Sequence, residues 1–289
     1  MNNPTTPPVS AGLAPSARYP RLLSIAGSDP GGGAGVQADL KTFAALGCFG
    51  TTAITALTAQ NTTGVRAIHA VPLDMLADQI DAVVEDIGVD AVKIGMLHSE
   101  LTIETVAAAL DRHHLRRVVL DPVMVATSGA ALIDPSAIAA LVRLMFPHAL
   151  LVTPNLDEAA MLVGRPLHTE ADMAGAAQQL LDMGARAVLL KGGHLAGSTV
   201  ADLLLQPGLP PLWMRAPRID TPNTHGTGCT LSSAIAARLA LGDDLPQAVQ
   251  QARDFVRGAL AAGACVRTGA GSGPLNHGFA PQPMQLRPL

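Results

Sequence analysis

Asn223, Thr224, His225, Gly226, Thr227, Gly228 and Cys229 follow one another, and the apolar residues after them, Leu231, Ile235 and Leu239, recur at helical spacing. Glycines at a helix entry let a ligand approach the backbone, and the first helical turn leaves N–H groups free for an anion. A phosphoryl group in transfer spreads charge over its oxygens, so donors fixed at such a terminus stabilise it without themselves moving. Cys229 sits in the same field, which predicts a lowered thiol pKa. Two other readings stay open on these residues alone: Cys229 as a nucleophile with His225 as its base, and Cys229 as a buried, inert thiol.

Other candidates lie where short apolar runs end. Gly27, Ser28, Asp29, Pro30, Gly31, Gly32, Gly33, Ala34 and Gly35 lead into a helical pattern of Val36, Leu40 and Phe43, a glycine loop that exposes backbone to a ligand or serves as a flexible entry. Asp39 borders the apolar side of that helix, where it meets a ligand or only solvent. Gln60, in the run from Thr58 to Thr62, offers an amide suited to a heterocycle's donor and acceptor edge, although a turn explains the same residues. Met96 reads as a wall or core residue. Asp121 follows a strand and suits a metal or phosphate-bound water. Asn155 and Glu158 share the first turn of another helix, as a helix cap or as holders of magnesium, which takes oxygen ligands. Lys191, before Gly192 and Gly193, brings a cation to the same region, but the common P-loop pattern is missing from the chain.

These residues require elements to carry them. From residue 21, β-branched or leucine-rich runs alternate with longer segments of helical period, the pattern of a mostly parallel sheet covered by helices. The runs predict strands at 22–26, 51–58, 91–94, 118–120, 150–152 and 187–190, a hairpin at 200–205 and 212–216, and helices at 229–241 and 246–262. A helix carrying Leu76, Ile80 and Val83 against Asp74, Asp78 and Asp81 reads as structural. Ligands of such sheets bind beyond the carboxyl ends of the strands, where most of the candidates fall.

The 289 residues are 48% hydrophobic and 15% charged, enough for a large core, with 2% aromatic residues. A net charge of −4 with one Trp and one Tyr gives no basic footprint or stacking platform for nucleic acid. Cys48, Cys229 and Cys265 form no disulfide or metal pattern, which points to a reducing cytoplasm. No apolar run reaches the roughly 20 residues that cross a bilayer, so no membrane association is expected. Residues 1–20 read as a disordered tail, 21–279 as one domain and 280–289 as a C-terminal extension.

The ordered set IAGSDPGGGAGVQADLKTF, TALTAQNT, KIGML, LDPVMVATSG, TPNLDEA, KGGH and NTHGTGCTLSSAIAA closely resembles the hydroxymethylpyrimidine/phosphomethylpyrimidine kinases of thiamine biosynthesis, in the ribokinase-like superfamily. The closing GPLNHGF is also similar to the family's end. The resemblance implies an α/β, ribokinase-like three-layer fold, with a central mostly parallel sheet and helices on both faces, and a homodimer. It implies ATP and Mg2+ as cosubstrate and cofactor, and a small pyrimidine as substrate. It assigns Gly27, Asp39, Gln60, Met96 and Val123 to the pyrimidine, Asn155, Lys191, Gly226, Thr227 and Gly228 to nucleotide and phosphate, and Asp121 and Glu158 to the metal. Cys229 becomes the acceptor of the substrate hydroxyl's proton, although an anion hole alone would also serve. Thr127 stands where some members have lysine. A pyridoxal-type kinase is the nearest alternative, disfavoured by Gln60 and Met96; a non-catalytic relative is disfavoured by Lys191, Glu158 and Cys229.

Overall fold

The computed structural model describes residues 16–125, 129, 131–195 and 197–289, so Thr127 lies outside the described residues. The chain enters through β1 (Ala17–Arg18) and β2 (Arg21–Ala26), then α1 (Gly35–Ala45) and β3 (Phe49–Ile54). A ribbon of β4 (Ala56–Asn61) and β5 (Gly64–Ala70) precedes α2 (Leu73–Ala82), β6 (Ala91–Ile94), α3 (Glu100–Arg112) and β7 (Val118–Leu120). After the short α4 (Ile138–Ala140) come β8 (Leu151–Val152), α5 (Leu156–Val163), α6 (Glu170–Asp182) and β9 (Val188–Leu190). The hairpin of β10 (Thr199–Leu205) and β11 (Leu212–Pro217), α7 (Thr227–Ala240), α8 (Leu245–Gly263) and β12 (Arg287–Pro288) complete the chain.

Eight strands form one sheet in the order β11-β10-β9-β8-β7-β6-β2-β3. Every pair from β9 to β3 is parallel, and the β10–β11 hairpin adds antiparallel strands at one edge. The central strands are mostly apolar because both faces are covered, and the two-residue alternation of strand side chains divides them between two cores. Leu23, Ile25, Val118, Leu120, Val188 and Leu190 belong to one core, with α2, α3, α5 and α6. Leu22, Val119 and Leu189 belong to the other, with α1, α7 and α8. The result is the expected three-layer arrangement of helices on both faces of a mostly parallel sheet.

The stretch 51–58, read as one strand, is two. Buried Thr55 ends the sheet register, donating Oγ1–H to Met96 O (2.8 Å) and its N–H to Ala26 O (3.0 Å). Beyond it β4 leaves the sheet and pairs with β5, which the sequence reading had not assigned. The ribbon is open to solvent at Leu57 and Ile68, so its residues alternate too weakly to announce a strand of the sheet. Residues 280–289 run along the connection from α1 to β3, where the Gln282 and Gln285 N–H groups donate to Ala45 O and Gly47 O, both at 2.8 Å. Their end, β12, pairs antiparallel with β1.

Candidate active site

The parallel strands release their loops at one end of the sheet, and a cavity of about 790 Å³ opens there. Every residue to which the resemblance assigned a role lines it except Asp39. Gly27 follows β2, Met96 follows β6, Asp121 and Val123 follow β7, Asn155 and Glu158 follow β8, and Lys191 follows β9. Gln60 enters from the β4–β5 ribbon, and residues 226–229 enter at the start of α7.

Two helices present N-termini without side-chain caps to this cavity. The N-cap of α7 is Gly226 in the left-handed region (φ 81°), and α1 begins at Gly35 (φ 56°) with Ala34 as its N-cap. Neither glycine tolerates a side chain: a Cβ on Gly226 would stand 1.8 Å from Gly33 O, and one on Gly35 2.4 Å from Gly27 O. The two glycine segments therefore pack backbone against backbone, which places the N–H groups of both helix termini around one space. Gly27 lies so close to Met96 that a Cβ would fall 2.9 Å from its sulfur. By contrast, α5 is closed by a full capping box, with Asn155 Oδ1 accepting Glu158 N–H at 2.9 Å and Glu158 Oε2 accepting Asn155 N–H at 2.7 Å. Capping and pocket lining are thus not alternatives for Asn155 and Glu158; the box fixes both side chains at the cavity wall.

Asp39 is where the structure departs from the expected contact set. Its carboxylate is fully buried and spoken for: Lys93 Nζ donates to both oxygens at 2.9 and 2.8 Å, Ser24 to Oδ2 at 2.5 Å and Ser233 to Oδ1 at 2.7 Å. The helix face that bears it is turned toward α7, and its partner Lys93 lines the cavity while Asp39 itself does not. Burial opposes the charge of Lys93, but Asp39, with Cys229 and Asp121 adding to it, holds this ammonium above its ordinary pKa.

A second cation, Lys191, reaches Asp121 Oδ1 at 2.8 Å and Glu158 Oε2 at 3.9 Å. Thr153 also donates to Asp121 Oδ1 at 3.0 Å. Burial pushes Asp121 up, yet Lys191 and Lys93 bring it below the usual carboxylate range. Glu158 goes the other way, to about 7: burial outweighs the pull of Lys191, and the charge of Asp121 adds to burial. One ammonium thus faces two buried carboxylates, an oxygen-rich set that fits a hard divalent cation. Asp81, Glu85 and His113 also converge, but on the outer side of α2, where Arg112 already pairs with Asp81.

The thiol of Cys229 is not lowered as expected from the helix terminus. Burial pushes it up to about 11; Lys93 and the Gly35 N–H pull it down, and Asp39 and Asp121 push it up. The favourable helix field is outweighed chiefly by burial, to which the two nearby carboxylates add. His225, considered as its base, instead meets Asp29 Oδ2 through Nε2 at 2.8 Å.

The model of the family described as phosphomethylpyrimidine kinase matches residues 29–276. A hydroxymethylpyrimidine/phosphomethylpyrimidine kinase of Rhizobium meliloti (strain 1021) is 52% identical over 256 residues, covering 88% of this chain and 96% of that one. The chain belongs to the phosphomethylpyrimidine kinase family. Among solved structures, a phosphomethylpyrimidine kinase from Clostridium difficile 630 is 40% identical, covers 83% of this chain and 99% of its own, and superposes with a TM-score of 0.73. A Bacillus subtilis pyridoxal kinase, solved as an ADP complex, is 36% identical with a TM-score of 0.83, covering 90% of this chain and 98% of its own.

Three features of this family member were not read from the sequence as site parts. Lys93 is a charged residue inside an otherwise apolar strand, a signal available in KIGML. Asp202, in the apolar run of β10, is the second: it accepts Gly192 N–H at 2.8 Å and Arg253 Nε–H at 2.8 Å, and both the Asp202 and Arg253 side chains border the cavity. The third, Asp29 with His225, joins segments 196 positions apart and has no local signature.

Proposed function

We propose that this chain transfers the γ-phosphoryl group of ATP to the hydroxymethyl group of 4-amino-5-hydroxymethyl-2-methylpyrimidine, and then to the resulting monophosphate, a reading supported by relatives named hydroxymethylpyrimidine/phosphomethylpyrimidine kinase. The observation that carries this reading is the meeting, in one cavity, of Gln60, Gly27, Met96 and Val123 with Lys191, Asp121, Glu158 and the uncapped start of α7.

In this reading Gln60 pairs with the polar edge of the aminopyrimidine, and Met96 and Val123 flank the ring. Asn155, Lys191 and the N–H groups of Thr227, Gly228 and Cys229 hold phosphate oxygens, where fixed donors stabilise the charge that spreads during transfer. Asp121 and Glu158 would hold magnesium, which when bound supplies positive charge to the phosphate oxygens. Cys229 accepts the acceptor hydroxyl's proton, with Lys93 and the Gly35 amide favouring the thiolate. Since the resting thiol stands at about 11, it is a strong base populated only as charge develops nearby, and the anion-binding amides carry much of the catalysis. The same reading includes a homodimer in the cytoplasm; no helix among the described residues is long and apolar enough to cross a membrane.

Pyridoxal-type activity is the reading that the closer superposition on the pyridoxal kinase favours. The greater identity to pyrimidine kinases and the Gln60 amide favour the pyrimidine. The test is ADP formation with Mg-ATP and each of three acceptors: the pyrimidine, its monophosphate and pyridoxal. Turnover on both pyrimidines, with a specificity constant at least about 100-fold above that for pyridoxal, is expected from a site built to pair the polar edge. Absence of turnover on both pyrimidines overturns the proposal.

A further inference from the structure

Asp29 is almost fully buried, yet no role in the transfer reaction has been given to it. Its Oδ1 accepts Gly31 N–H at 2.8 Å, and its Oδ2 accepts Gly33 N–H at 3.1 Å, Ala34 N–H at 2.9 Å and a bond from His225 Nε2 at 2.8 Å. The carboxylate thus meets four donors, three of them at Oδ2. Its partners divide sharply in sequence: three amides belong to the loop that opens α1, and the imidazole belongs to the turn that opens α7. The two segments also touch at Gly33 and Gly226, and a Cβ on Gly33 would come within 2.5 Å of the His225 ring. Gln60 Nε2 lies 3.4 Å from the same His225 nitrogen. The reader of the ring edge, the glycine loop and the anion-binding turn therefore converge on one imidazole edge. From behind, the turn is braced by the closing motif, where His225 N–H donates to Gly273 O at 3.1 Å and His277 Nε2 lies 2.9 Å from Thr230 Oγ1.

We propose that Asp29 and His225 form a strut that fixes the distance between the acceptor site and the phosphoryl-binding turn, making both of them positioning residues for the transfer. The inference rests on the phosphotransfer reading above for its kinetic consequence, and on geometry alone for the coupling of loop and turn. Phosphoryl transfer depends on alignment of the attacking oxygen with the phosphorus, and a misplacement of about 1 Å costs on the order of 100-fold in rate. The strut does this without touching the reacting atoms: Asp29 holds the loop by its amides and the turn by one ring nitrogen. Neither α1 nor α7 has a side-chain cap of its own, so this shared carboxylate, bonded to the loop before α1 and to the turn before α7, orients the two helix ends relative to each other.

The test compares H225F, which keeps a ring but removes the nitrogen donor, with H225Q, whose terminal amide lies the same number of bonds from the backbone as Nε2 and can donate to Asp29. In H225F we expect kcat on the pyrimidine to fall between about 10- and 100-fold, with KM for pyrimidine and ATP changed less than about threefold. In H225Q we expect kcat to recover to within about threefold of wild type. Amide exchange read by mass spectrometry on the peptide covering residues 28–36 supplies the arm that needs no activity. It should quicken at least about tenfold in H225F, and in D29N, and stay near wild type in H225Q. Wild-type kcat in H225F overturns the strut as a positioning device, and unchanged exchange in both H225F and D29N overturns the coupling itself. If the wild type turns over neither pyrimidine, the phosphotransfer reading fails, and the exchange data still decide whether loop and turn are joined.

Discussion

Cys229 and Glu158 show how burial resets the chemistry of single residues. In C229A we expect the pyrimidine's affinity to change by less than about threefold while kcat falls at least about 100-fold, as for loss of a proton acceptor in the transition state; calorimetry and steady-state kinetics check this. Near-normal turnover would leave the thiol only a shaping role in the anion-binding turn. Glu158, whose folded pKa is raised from 4.5 to about 7, keeps a proton that the unfolded chain gives up. Its contribution to stability is therefore full below about pH 4.5 and is lost as pH rises through about 7. E158Q should remove that part of the fall in denaturation midpoint over this window. For the same reason, Mg2+ affinity of the wild type, measured by titration calorimetry, should rise as pH passes through about 7, and E158Q should bind weakly without that rise. Most of the polar candidates were legible singly because they stand where an apolar run ends. Their charge states were not, since Cys229 sits among Asp39, Asp121 and Lys93 only after α1, β6, β7 and α7 have packed.

At the scale of elements, the site depends on two helix starts held backbone to backbone. Gly226 combines a left-handed φ of 81° with contact against Gly33 O, so relaxation of one neighbour cannot make room for a methyl group. G226A is expected to lose about 2 kcal/mol or more of stability, from strain in the left-handed region plus displacement of the glycine loop. Urea denaturation and loss of nucleotide binding check the two parts. G208A is the control: that glycine has φ 73° but open space around its Cβ position, so only the conformational part, about 1 kcal/mol, is expected. The sheet strands were readable because burial on both faces writes them as short apolar runs. The β4–β5 ribbon was not, because it leaves the sheet at Thr55 and more than half of its residues are exposed. That ribbon carries Gln60, so an element hidden from pattern reading delivers the residue expected to recognise the ring.

Across the whole molecule, the C-terminal residues close the fold in two ways. The stretch 273–279 braces the α7 turn through Gly273 and His277 and seats Phe279 on Phe255, with ring centroids 5.4 Å apart. Residues 280–289 tie the end of α1 and the connection after it to β1. Truncation after Phe279 should lower the thermal midpoint by about 2–8 °C, corresponding to roughly 1–2 kcal/mol in a chain of this size, and leave the ratio of activities on the two pyrimidines unchanged. A scanning calorimetry measurement with paired kinetics checks both. The sequence by itself determined the layer architecture, the strand ends where ligands gather and the residue types of the pocket, because apolar periodicity and glycine placement are local properties. Only the tertiary structure decided that Asp39 is buried against Lys93, Ser24 and Ser233, that burial raises the Cys229 thiol, and that Asp29 joins two glycine segments. Those outcomes depend on contacts between residues far apart in the chain, where burial and paired charge outweigh what any one segment prefers.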